Sequence, residues 1–110
     1  MRLSVALTAA LFASAALAQT PTSVDQAKGD LDSCLRANAD LALAKTTGAP
    51  AAAKAALKQC VTEAGKLDRA VARASKAAGK TVTQNKAATA AARKAVLDGV
   101  EAFIARNVGR

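Results

Sequence analysis

Cys34 and Cys60 are the only cysteines in this 110-residue chain, and they stand at equal distances on either side of Thr47. Thr47 lies in the segment from Lys45 to Pro50, where Gly48 permits unusual backbone angles and Pro50 is pre-set for the first turn of a helix. If the flanking stretches are helices, the chain folds back at that segment and brings both thiols to the same height. Short connections between helices favour antiparallel neighbours, so the spacing points to a helical hairpin closed by a Cys34–Cys60 disulfide. On the chain-entropy account, closing a loop of this length stabilises the fold by about 3 to 4 kcal/mol.

The start of the chain supplies the redox setting for that bond. A single early charge, Arg2, is followed by a charge-free run from Leu3 to Ala18, with Ala16 and Ala18 at the small positions of a cleavage site before Gln19. The pattern is that of a secretory signal peptide over residues 1–18, removed after Ala18 and leaving one small domain over 19–110. The apolar run is short for a membrane span, no stop-transfer pattern follows it, and no Cys stands after it for lipid attachment. The expected location is the periplasm or the extracellular medium, where disulfides form and persist. Unpaired or intermolecular thiols and a redox-active pair are the competing readings of the cysteines. Catalytic dithiols usually sit two residues apart at a helix N-terminus, and this pair falls in helix interiors.

The disulfide matters because the core is thin. The expected mature chain holds 25 Ala but only 16 Val, Leu, Ile and Phe, below the fraction of about 20% at which disorder becomes a serious competitor. Helix propensity is the second source of order: Ala, Lys, Arg, Leu and Gln dominate, while β-branched and aromatic residues are sparse. Strands are not expected.

Capping signals divide the chain into three helical stretches. Ser23 and Gln26 have the spacing of a capping box, opening a helix that runs to about Ala44 with Val24, Ala27, Leu31, Leu35 and Ala42 on one face. A second helix runs from Pro50 to about Ala78 and ends at Gly79, with Cys60, Ala64, Leu67, Val71, Ala74 and Ala78 sharing a face. Gly65 is its expected weak point, costing about 1 kcal/mol relative to Ala. Thr81 and Gln84 repeat the capping spacing and open a third helix that carries Ala92, Val96, Val100 and Phe103 on one face, beside Leu97 and Ile104, and frays before Gly109. The expected fold is all-α: a small antiparallel three-helix bundle, four-helix if broken at Gly65, packed through small Ala surfaces.

Charge is unevenly spread over this scaffold. The formal charge of the whole chain is +8, and the first helix is slightly acidic while the remainder is strongly basic. Lys66, Arg69, Arg73, Lys76 and Lys80 recur at alternating intervals of three and four, so on a helix they form one stripe opposite Leu67 and Val71. Like charges one turn apart destabilise a helix by a few tenths of a kcal/mol, a cost that an anionic partner relieves. The stripe is therefore the candidate binding face for an anionic polymer, a membrane surface such as lipopolysaccharide or phospholipid headgroups, or an acidic protein. The plainer reading is that these cations keep the outer face of an Ala-rich helix solvated. Export and the absence of stacking aromatics disfavour nucleic acid, and the mostly Ala composition of the opposite face disfavours membrane insertion.

Catalysis and cofactors find few residues to use. The chain has no His, Trp or Tyr, and it carries no phosphate-binding Gly loop, zinc spacing or Ser-His-Asp set. Ser75 and Lys76 are adjacent but point about 100° apart on a helix, and the carboxylate pairs Glu63 with Asp68 and Asp98 with Glu101 read as surface. The expectation is no enzyme activity, no cofactor and no metal. A second class of function is self-assembly into a structural or stress-related periplasmic protein or homo-oligomer, with Phe103 and Ile104 as its apolar contact. A carrier of a small apolar ligand needs a cavity that Ala-on-Ala packing is not expected to leave.

Overall fold

The computed structural model describes residues 22–43 and 47–107, which form five helices and no strand. They are α1 (Val24–Ala37), α2 (Ala39–Leu43), α3 (Ala49–Gln59), α4 (Val61–Ala77) and α5 (Val82–Asn107). The expected signal peptide, its cleavage site and the C-terminal fraying beyond Asn107 lie outside the described residues, as does the expected end of the first helix at Ala44.

Both capping boxes form. Ser23 Oγ accepts from the Gln26 amide at 3.1 Å while Gln26 Oε1 accepts from the Ser23 amide at 3.2 Å. Thr81 and Gln84 do the same for α5, at 3.2 and 2.9 Å. Four otherwise free backbone donors are thereby satisfied by side chains three residues away. The end of α4 is fixed as firmly. Gly79 adopts a left-handed φ of 71°, its amide donates to Lys76 O at 3.1 Å and the Lys80 amide donates to Ser75 O at 2.9 Å. This is a Schellman turn, which needs a residue without a Cβ penalty at Gly79.

The first two sequence helices are each broken once, which raises the number of helices from the expected three to five. The first break is at Asn38, whose side-chain amide donates to Cys34 O at 2.8 Å while its own N–H is shared between Cys34 O and Leu35 O, both at 3.2 Å. A short amide side chain competing for the carbonyl four residues back loosens the regular ladder at that point. The second break is at Cys60 and not at Gly65. Cys60 has φ −115° and ψ 32°, and its N–H turns back to Leu57 O at 3.0 Å, whereas α4 runs continuously through Gly65. The interruption coincides with the covalent tether to α1, between one run of helix that buries Ala52, Ala53 and Ala56 and another that buries Ala64, Leu67 and Val71.

Three arms result: α1 with α2, α3 with α4, and α5. Thr22 meets Arg73 and Cys34 meets Cys60, so the first two arms run antiparallel. Arg36 meets Phe103, and α1 also packs against α4 and α5, while α3 packs against α2 and α5. The core is shared among all three arms: Leu31 and Leu35 from α1, Leu67 from α4, Val100 and Ile104 from α5, and Cys60 are its largest fully buried side chains. Around them the filling is Ala, as the composition requires; Ala27, Ala39, Ala52, Ala53 and Ala56 have no exposed surface.

One expected face needs correction. Ala74 and Ala78 are exposed, and Ser75 is buried in their place at 3% exposure. Through Ala64, Leu67 and Val71 the contact stripe follows its expected course, and its last step falls on Ser75.

Candidate functional site

The disulfide is present between α1 and the junction of α3 with α4, with the Cα atoms of Cys34 and Cys60 6.0 Å apart. Cys60 is fully buried and Cys34 half-buried. The Asn38 amide nitrogen lies 3.8 Å from Cys34 Sγ and 3.7 Å from Cys60 Sγ, so one side chain both breaks the helix and covers the bond. A Glu63 carboxylate oxygen is within 4.8 Å of both sulfurs. With the sulfurs bonded to each other, that carboxylate is the one remaining acidic donor in the cluster, and the bond acts as a staple.

Three of the described cations pair with carboxylates, five are those expected to form the stripe, and Lys28, Lys54, Lys58, Lys86 and Arg106 likewise form no ion pair with a described carboxylate. The first group is engaged within the chain. Arg36 pairs with Asp32 one turn away at 2.9 Å and lies 4.5 Å above the centre of the Phe103 ring. Arg93 on α5 donates to Asp68 on α4 through Nε at 2.9 Å and through Nη2 at 2.5 Å. That bond to the Asp68 carboxylate raises the Arg93 pKa, against a smaller opposing effect of burial. Lys94 pairs with Asp98 at 2.6 Å, and the hydrogen bond to Asp98 raises its pKa as well.

The second group is the stripe. Lys66, Arg69, Arg73 and Lys76 are exposed on α4, opposite buried Leu67 and Val71, whereas Lys80, expected on the same stripe, follows the turn at Gly79 and is exposed beyond the end of the helix, beside the cleft that Val71 and Ser75 line. None of the five forms an ion pair with a described carboxylate. Arg73 is engaged differently, its Nη2 donating to Thr22 O at 2.9 Å and tying the entry of α1 to α4. Arg69 lies back over Gly65, with Nη1 3.3 Å from the point a Cβ would occupy there. Asp68, the nearest acidic neighbour in sequence, is turned away from the stripe and spent on Arg93.

The remaining sequence candidates separate. Ile104 is fully buried in the chain's own core and Phe103 is half-buried beneath Arg36, so the two do not form an exposed apolar patch. The exposed large apolar side chains among the described residues are Leu41, in the middle of short α2, and Val61 and Val82, the first residues of α4 and α5; periodicity did not single them out. Ser75 is buried while Lys76 is exposed, so the adjacent pair does not converge. No helix among the described residues is long and apolar enough to cross a membrane.

Two surface clefts go beyond what Ala-on-Ala packing was expected to leave. One, of about 320 Å³, lies between α2 and α3 and is bordered by Asn38, Leu41, Ala55 and Lys58. The other, of about 380 Å³, lies where the start of α1, the end of α4 and the first half of α5 meet. Val71, Ser75 and Ala92 form its buried floor, Val24 and Ala88 its half-buried walls, and Lys28 and Lys80 line it as well. Alanine makes such a space by filling a helix face without projecting far from it, so neighbouring helices held apart by Val and Lys leave a groove. No sequence period marks this cleft, because its walls come from three helices distant in the chain. No protein-family model, curated protein or solved structure matches the chain.

Proposed function

We propose that the chain is a small exported interaction protein that binds an extended anionic partner through the outer face of α4. The observation that carries this reading is the contrast between the paired cations and those of the α4 face. Arg36, Arg93 and Lys94 are matched to carboxylates, whereas Lys66, Arg69 and Lys76 gather on one exposed face of α4 with no carboxylate partner among the described residues. A helix that carries like charges one turn apart without compensation gains when counter-charges arrive from outside. Affinity of this kind comes mainly from ion release and falls steeply with salt. The face offers no groove and no aromatic platform, so it suits a repeating negative charge on a polymer or surface more than a shaped ligand.

Retention of the oxidised protein on immobilised polyphosphate tests the reading. Neutralising Lys66, Arg69 and Lys76 to Gln should abolish retention at moderate salt and flatten its salt dependence. Unchanged retention of that variant overturns the reading. Self-association is the other class of function, and it draws less support here because Ile104 is buried within the single chain and Phe103 is half-buried beneath Arg36.

A further inference from the structure

We propose that the cleft between α1, α4 and α5 is a binding site for a single fatty-acyl chain, with the carboxylate of the free acid held between Lys28 and Lys80. This site is separate from the basic face of α4, which Lys80 leaves at the Gly79 turn.

Three observations support the assignment. The residues that line the cleft are apolar apart from Ser75 and the two lysines, and no acidic side chain is among them. Its volume of about 380 Å³ falls at the lower end of the range for small-molecule sites, about 300 to 1,000 Å³, the scale of one acyl tail lying in a cleft that is open on its outer side. Both lysines line the cleft, Lys28 half-buried and Lys80 exposed, and neither forms an ion pair with a described carboxylate, so two uncompensated cations border an apolar floor. A carboxylate on a hydrocarbon tail complements both parts at once.

The position of Lys80 is built into the backbone. The Schellman turn at Gly79 stops α4 and ties the Lys80 amide to the carbonyl of Ser75, so the backbone of Lys80 is fixed beside a residue of the cleft floor. Lys28 is placed by α1, one turn after Val24 on the opposite wall. The main chain around the cleft is helical, with its donors and acceptors already paired, so a peptide adding as a strand would find no hydrogen-bonding edge.

Dodecanoate, labelled at its carboxyl carbon and kept below its micelle concentration, is the probe. Titration of the oxidised protein should show saturable binding at one site, with a shift of the carboxyl resonance. Lys28→Gln with Lys80→Gln should weaken it about fivefold or more, the scale of two partly exposed ion pairs, and dodecanol should bind more weakly by a similar factor. Ala91→Phe, at an exposed position on the cleft wall, should abolish binding while helix content by circular dichroism is retained. Lys54→Gln with Arg106→Gln, on exposed positions away from the cleft, serves as the charge-matched control and should bind dodecanoate as the parent does.

Absence of dodecanoate binding, equal binding of dodecanol, or unimpaired binding by the Ala91→Phe variant each overturns the acyl site. Capture of anionic phospholipid vesicles without binding of free dodecanoate does so too and assigns the charge to a membrane surface. Lys28→Gln with Ala91→Phe alters no residue of the α4 stripe. Loss of dodecanoate by that variant with polyphosphate retention intact separates this proposal from the anionic-face reading, and each can fail alone.

Discussion

Arg93 and Asp68 form a two-pronged ion pair that joins α5 to α4, the one salt bridge between different helices among the described residues. Both side chains keep about a third of their surface in water, so solvent screening limits its worth. A forked guanidinium-carboxylate geometry places it toward the upper part of the range for exposed pairs, about 0.5 to 1 kcal/mol. In a double-mutant cycle of Arg93→Ala and Asp68→Asn, urea unfolding should show a coupling of that size. Additive single effects would mean that the pair contributes nothing.

The pH dependence of this pair follows from the sign of its shift. The Asp68 bond raises the Arg93 pKa above its ordinary value, so the stabilising contribution is fully present below the unfolded-state value and is lost only as pH rises through the higher folded-state value. Lys94, raised from 10.5 by Asp98, behaves in the same sense in the alkaline range. Unfolding midpoints of the Arg93→Ala variant and the parent should therefore differ by a constant amount between pH 7 and 9. A difference that shrinks within that window would contradict the assignment.

The staple closes a separation of 26 residues, worth about 3.5 kcal/mol on the chain-entropy account. Total stabilities of small domains are about 5 to 15 kcal/mol, and this core contains only six large side chains that are fully buried. Reduction, or Cys34→Ser with Cys60→Ser, should remove most of the cooperative unfolding transition seen by circular dichroism. Retention of a sharp transition within about 1 kcal/mol of the oxidised protein would show that burial alone suffices.

Two glycines should respond in opposite directions to the same change. Gly65 lies inside continuous α4, where Ala is favoured by about 1 kcal/mol. The nearest obstacle to its Cβ is the end of the flexible Arg69 side chain at 3.3 Å, which can move by the few tenths of an ångström required. Gly65→Ala should raise the thermal midpoint. Gly79 has open space around it but a φ of 71°, a region that costs an L-residue about 1 to 2 kcal/mol, so Gly79→Ala should lower it.

Core deletions should be severe for the same reason that the disulfide matters. Leu67 is fully buried among the three arms, and Leu→Ala at such sites costs about 2 to 5 kcal/mol. Leu67→Ala should leave little folded protein once the disulfide is reduced, while Leu41→Ala, at 69% exposure, should change the midpoint by under about 0.5 kcal/mol. Equal effects at the two positions would place the core elsewhere.

Local signals carried most of the fold. Ser23 with Gln26 and Thr81 with Gln84 marked both capping boxes, Gly79 marked the end of α4, and the symmetry of Cys34 and Cys60 about Thr47 indicated the staple and the antiparallel pairing. The breaks were harder to read. Propensity singled out Gly65 as the weak residue, yet a glycine adopts helical angles when its neighbours hold them. Asn38 interrupts its helix through a local side-chain bond to Cys34 O that periodicity does not weigh, and Cys60 interrupts its helix at the covalent tether to α1, a relationship that exists only after folding. The stripe from Lys66 to Lys76 was legible because it belongs to a single helix, whereas periodicity set Phe103 on the core face with Ile104 beside it, and the structure buries Ile104 and leaves Phe103 half-covered by Arg36. The cleft of Val24, Lys28, Val71 and Lys80 has no sequence signature, since three helices contribute to it.

The position of the disulfide gives the bundle two unlike poles. Around Cys34, Asn38 and Cys60 the arms are covalently clamped. At the far pole, α5 begins at Val82 but contributes its first buried side chain only at Ala92, and the entry of α1 is held there by the Arg73 bond to Thr22 O. Amide exchange should therefore be graded along the long axis of the bundle, slowest beside the clamp and fastest through the opening turns of α5. The cleft lies at the compliant pole, where the helices can part and close without straining the covalent bond.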